Sequence, residues 1–94
     1  MVREKLNSGE VEARLSDLEG WAADEGKLHK RFEFGNFAES LAFVNRAGDL
    51  AEAADHHPDI KMGWGYAEFD ITTHDRGGIT ALDFALAKQI EELA

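Results

Sequence analysis

Three imidazoles carry the most chemical promise in this sequence. His56 and His57 are adjacent and precede Pro58, and His74 follows 17 residues after His57. Imidazole is the side chain whose ordinary pKa lies nearest neutrality, so two or three together supply a proton donor and a proton acceptor at once. Carboxylates stand near them. Glu52 lies four residues before His56, on the same face of a helix, and is placed to partner that ring. Asp83 lies nine residues after His74. Such a set suits acid–base chemistry on a small molecule that must lose one proton and gain another.

Taken singly, each of these residues has an ordinary structural explanation. A His-His-Pro at a helix end is a partner for the helix dipole. His74 alone is a polar residue at a strand end, Glu52 a solvated helix charge, Asp83 a helix cap and Trp64 turn packing. His29 has only the structural reading, because it falls on the outward parity of its strand. The case for a site rests on the three histidines meeting. Zinc is the other use of three imidazoles, but there is no cysteine and no dedicated fourth ligand, so the expectation is a site without metal.

A hairpin must bring the histidines together. Ile60–Trp64 and Tyr66–Thr73 alternate in polarity around Gly63-Trp64-Gly65. Paired residues in such a hairpin have numbers summing to about 130, which sets His56 and His57 opposite His74. Ala67, Phe69 and Ile71 share the inward parity; Tyr66, Glu68 and Asp70 share the outward one. An earlier hairpin joins Trp21–Asp24 to Leu28–Phe34 through Asp24-Glu25-Gly26-Lys27. Leu28, Phe32 and Phe34 point inward there, with Lys30 intruding.

Three helices complete the pattern. The first starts at Ser8 as N-cap, carries Val11, Leu15 and Leu18 on one face, and stops at Gly20. The second starts after Asn36 and ends where Pro58 forces His57 out of helical geometry. It has two apolar stripes: Phe37, Leu41, Val44 and Ala51 on one, Phe43, Ala47, Leu50 and Ala54 on the other. One stripe suits the sheet and the other a partner subunit. The third begins at Thr80, with Asp83 as a capping-box acid, Ile79 stapled to Phe84, and Leu82, Leu86, Ile90 and Leu93 buried. The predicted fold is α+β: one four-stranded antiparallel sheet with helices packed on one face, in the order α-β-β-α-β-β-α.

Composition narrows the setting. Ninety-four residues make a single domain over 1–94, with 1–7 a loose tail. A chain this short has a marginal core, which oligomerisation would extend. The 44% hydrophobic content is that of a globular protein, and no apolar run approaches the roughly 18 residues of a membrane span. Met1–Glu10 has no apolar signal segment. The absence of cysteine excludes disulfides and thiolate chemistry and fits a reducing cytoplasm. Ten basic against nineteen acidic residues leave a net charge of -9, which repels nucleic acid and fits either solubility or a high-salt cytoplasm.

Glu52-Ala53-Ala54-Asp55-His56-His57-Pro58, five residues to Trp64, nine more to His74 and eight more to Asp83 together resemble the signature of the pterin-4a-carbinolamine dehydratases. Phe32-Glu33-Phe34, Phe37, Phe43-Val44, Thr73-His74-Asp75-Arg76-Gly77-Gly78-Ile79-Thr80 and Leu86-Ala87 extend the resemblance over Trp21–Glu92. The departures are Trp64, where the family more often has Tyr, and Ile60, where it is often bulkier. The resemblance implies dehydration of a 4a-hydroxytetrahydropterin, left by an aromatic amino acid hydroxylase, to a quinonoid dihydropterin. It implies that His56, His57 and His74 are the catalytic and substrate-binding histidines. Asp55, Thr72, Thr73 and Asp75 would line the pterin site, with Glu52 and Asp83 in support. It implies no cofactor, no metal, a small-molecule pterin substrate, and a homo-oligomer: a tetramer assembled from dimers, or a dimer as the smaller form. The alternatives on the same fold are a non-catalytic partner, such as the dimerisation partners of animal transcription factors, or another pterin role, such as service to molybdenum-cofactor metabolism.

Overall fold

The computed structural model describes residues 4–94. Its elements follow the expected order: α1 (Ser8–Leu15), β1 (Ala22–Asp24), β2 (Lys27–Glu33), α2 (Phe37–Ala54), β3 (Asp59–Gly63), β4 (Tyr66–Ile71) and α3 (Ala81–Leu93), with one 3-10 turn at His74–Arg76. The four strands form one antiparallel sheet in the order β1-β2-β4-β3. β2 and β4 are therefore central, and β1 and β3 are the edges. α2 lies over β3 and β4, α3 runs beside α2 and reaches β2, and α1 covers β1.

Alternation of side chains explains the layers. Leu28, Phe32, Ala67, Phe69 and Ile71 point to the helices and are buried, while His29, Arg31, Glu68 and Asp70 form the outer face. Phe32, Phe43 and Phe69 make the centre of the core, with ring centroids 4.8, 5.7 and 5.9 Å apart in tilted and edge-on contacts. Lys30, of inward parity, carries its ammonium over the Phe32 ring, 4.8 Å from the centroid, and donates to Glu91, 2.7 Å away, and to the Glu19 carbonyl. Glu91 also accepts from the Trp21 indole at 2.8 Å. A cation at a core parity is thus satisfied at the rim of the sheet.

Several boundaries differ from the sequence expectation. The α1 cap is Asn7, not Ser8: its side chain accepts from the Glu10 amide while Glu10 accepts from the Asn7 amide. α1 ends at Leu15, and a turn carries the buried Leu18 on to Gly20. Residues 1–3 of the expected tail lie outside the described residues. Leu6 is tied down, its N–H donating to the Ile79 carbonyl at 2.8 Å and its side chain packing on the core. On α2 the buried line is Ser40, Phe43, Ala47 and Ala51, so Ala51 belongs to the second stripe and Ala54 is exposed. Of the other stripe, Val44 packs partly against the core, while Phe37 and Leu41 stay 47% and 41% exposed.

Phe43 touches three other rings and is buried. Phe43→Ala should cost about 3–5 kcal/mol, read as a fall in the urea midpoint with an unchanged slope.

Candidate functional site

Two chain reversals place the candidate residues. The first ends α2. Asp55 takes left-handed geometry at φ 51°, a conformation that Asp and Asn tolerate better than other side-chain-bearing residues. The Asp55 N–H returns to Glu52 O and the His56 N–H to Ala51 O, at 3.2 and 3.1 Å, closing the helix. The stop therefore comes at Asp55 rather than at Pro58, which instead leads into β3. This reversal also changes the partners. Glu52 was expected beside His56, one helical turn on. Because the chain has turned, the Glu52 carboxylate meets His57 Nε2 instead, and both groups are exposed.

His56 turns inward. Its side chain is 11% exposed, and Nε2 lies 2.5 Å from Oδ1 of Asp83, a residue with no exposure at all. Asp83 is the capping acid of α3: its Oδ2 accepts from the Thr80 N–H at 2.7 Å and from the Thr73 hydroxyl at 2.9 Å. One carboxylate thus closes a helix start and holds an imidazole.

The second reversal follows β4. Thr73 pairs with Gly78, the 3-10 turn closes with Gly77 in left-handed geometry, and His74 is carried on that small loop. Thr72 donates its hydroxyl to the Gly26 carbonyl at 2.8 Å, pinning the exit of β4 to the β1–β2 turn. The His74 side chain is exposed and has no partner among the described residues. Asp55, His56, His57, Thr72, Thr73, His74 and Asp75 together line one open cleft of about 270 Å³. Every residue expected to be catalytic or substrate-binding is on that wall. Glu52 and Asp83 stand behind it, each against one histidine.

The hairpin brings the histidines together in a register one step away from the expected one. Strands β3 and β4 pair Gly63 with Tyr66, Met62 with Ala67 and Ile60 with Phe69, so the turn is the two residues Trp64-Gly65 and Gly63 still belongs to the strand. Trp64 sits at the tip, 71% exposed, at the end of the hairpin away from the cleft. His29 lies on the outer sheet face, where Nδ1 is 2.8 Å from Asp70 Oδ1, and it does not line the cleft. Thr80 escaped the sequence reading as a site residue. The signal was there, since Thr80-x-x-Asp83 is a capping box, but only the fold shows that the box backs His56.

Chemically, the cleft presents two imidazoles each held by a carboxylate and a third without a partner among the described residues. Among the described residues no group of three or more His, Asp or Glu is arranged to hold a metal ion. Nor is any helix long and apolar enough to cross a membrane.

Comparison with known proteins agrees with this picture. The family profile described as pterin 4 alpha carbinolamine dehydratase matches residues 4–93. A Roseiflexus sp. protein provisionally named pterin-4-alpha-carbinolamine dehydratase is 45% identical over 89 residues, 95% of this chain and 96% of its own. A Thermosynechococcus vestitus protein with the same provisional name is 46% identical over 93 residues, 99% of this chain and 98% of its own. The crystal structure of a transcriptional coactivator/pterin dehydratase from Brucella melitensis superposes with a TM-score of 0.93 at 27% identity, covering 97% of this chain and 99% of that one. A pterin dehydratase-like protein identified as a RuBisCO assembly factor in the alpha-carboxysome superposes with a TM-score of 0.65 at 27% identity, over 79% of this chain and 86% of that one. With the profile spanning nearly the whole chain and relatives this similar over their full lengths, the chain belongs to the pterin-4-alpha-carbinolamine dehydratase family.

Proposed function

We propose that the protein dehydrates a 4a-hydroxytetrahydropterin to the quinonoid dihydropterin by histidine acid–base catalysis, in the recycling of tetrahydropterin in the cytoplasm. The observation that carries this reading is the convergence of His56, His57 and His74 on one cleft. Hydroxide is a poor leaving group, so the C4a–O bond breaks as an acid delivers a proton to the departing oxygen. The electron pair of the neighbouring ring N–H moves into a new C4a=N bond as a base takes that proton. One water leaves, the proton count balances, and no electron acceptor is needed. Each well-placed acid or base is worth roughly 100- to 10,000-fold. Asp55, Thr72 and Asp75 supply polar groups at the cleft wall for the pterin ring edge, and Thr73 completes the wall between them. A cleft of about 270 Å³ lies just under the usual range of ligand sites and suits a ligand no larger than a bicyclic ring.

The competing reading is a partner protein without catalysis, as the assembly-factor neighbour illustrates for itself. The full histidine set, with a carboxylate behind two of its members, favours dehydration.

We also propose a homo-oligomer, a tetramer before a dimer. Phe37 and Leu41 are bare on α2, Ile60 is exposed on β3, and β3 is an edge strand whose outer side is unpaired. A small core gains from covering such a face.

Purified protein should accelerate breakdown of synthetic 4a-hydroxytetrahydropterin without added metal, and EDTA should leave the rate unchanged. Loss on chelation with recovery on zinc would overturn the metal-free reading. His56→Ala and His74→Ala should each lower the rate at least about tenfold with the fold intact, and the double variant should fall short of the product of the two losses. His29→Ala should match the parent. Assembly is read by light scattering. The parent should be oligomeric at micromolar concentration and tighten with added salt, because a net charge of -9 per chain opposes close approach of copies. Leu41→Asp should dissociate it. A monomeric parent, or assembly that weakens as salt rises, would refute the interface.

A further inference from the structure

Beneath His56 lies a sealed polar cluster. Thr73, Thr80 and Asp83 are all at 1% exposure or less, and none of their side-chain polar atoms is left without a partner. The direction of each hydrogen bond follows from counting protons, since a hydroxyl has one to give and a carboxylate has none. The Thr73 hydroxyl lies 2.9 Å from Asp83 Oδ2 and spends its proton there. In its 2.8 Å contact with Thr80 it can then only accept, so Thr80 donates. The Thr80 oxygen in turn accepts from the Leu82 N–H at 3.2 Å. The Thr80 N–H adds a second donor to Oδ2 at 2.7 Å, a length that suits a charged acceptor. Oδ2 is therefore saturated by two donors, and Oδ1 alone remains to face His56 Nε2 at 2.5 Å.

We propose that Thr73 and Thr80 are positioning residues. Their hydroxyls, acting in series, lock the Asp83 carboxylate so that it takes the proton-bearing Nε2 of His56 and leaves Nδ1 for the substrate. His56 thus works through one nitrogen only, and its ring cannot flip without breaking a buried bond. Thr73 also lines the cleft, but its hydroxyl is committed inward, so its effect on turnover passes through Asp83. The kinetic part of this inference rests on the dehydratase reading above; the tautomer part does not.

The test begins on the parent protein, so it does not depend on a variant folding. Long-range proton–nitrogen NMR of the imidazoles at alkaline pH, with His56 identified by the signal lost in His56→Gln, should show His56 protonated at Nε2 and bare at Nδ1. Protonation at Nδ1 overturns the proposal. Thr73→Val removes one donor from Oδ2. It should convert the His56 signals to a mixture of tautomers and lower kcat about tenfold, with KM within about twofold of the parent. Thr73→Ser keeps the hydroxyl and should restore both. A folded Thr73→Val with the parent's tautomer and kcat refutes the relay. If the parent does not turn over the pterin at all, the dehydratase reading fails, and the tautomer measurement still decides the relay.

Discussion

The buried carboxylate of Asp83 is the contact on which the rest of the site depends. A buried carboxyl group is tolerated only when its oxygens are hydrogen-bonded, and here the partners come from three separate parts of the chain. One is the N-cap of α3, one is Thr73, two residues past β4, and one is the segment that leaves α2. Losing any partner leaves part of a buried polar group unmatched, so the three segments are held at a common point. The open end of the β3–β4 hairpin, which would otherwise be free to splay, is closed by that demand. The cleft is built on the outer side of the same point, with His56 shared between core and solvent.

Much of this was legible in the residues, and the reasons for the remainder are physical. Strand parity named the inward and outward faces, because a two-residue period tolerates no ambiguity once Phe69 and Ile71 must be buried. Asn36 and Thr80 announced helix starts through side chains that can accept backbone N–H groups. Spacing made the three cleft histidines legible; Asp55, Thr72, Thr73 and Asp75 came from the resemblance alone. Three things were hidden. The turn in the second hairpin needed only two residues, because Gly65 supplies the positive φ alone and Gly63 stays in the ladder with the Tyr66 ring lying over it. The pairing of Glu52 with His57 depended on a helix stop one residue after Ala54, which Asp gives less plainly than Gly. The satisfaction of Lys30 at the rim needed Glu91, 61 residues away in sequence.

The two faces of the sheet divide their work. The helix-covered face carries the aromatic core and, at its end, the cleft. The outer face is a charged lattice in which His29 meets Asp70 and Arg31 meets Glu68 and stacks on Tyr66. Exposed pairs of this kind contribute little each, but they keep a two-dimensional array of alternating sign on a surface that would otherwise invite stacking. Surplus negative charge lies mostly elsewhere, on the helices and loops.

Asp55 exposes a tension between comfort and use. A left-handed residue at the end of a helix is easiest for glycine, which has no β-carbon to crowd the carbonyl. A search for hardier versions of this protein would reach position 55 early and favour that replacement. Yet the Asp55 side chain is part of the cleft wall, and glycine would erase a carboxylate from it. The backbone conformation that turns the chain out of α2 is thus borne by a residue less suited to it than glycine, and keeping Asp there exchanges some thermal robustness for a carboxylate on the cleft wall.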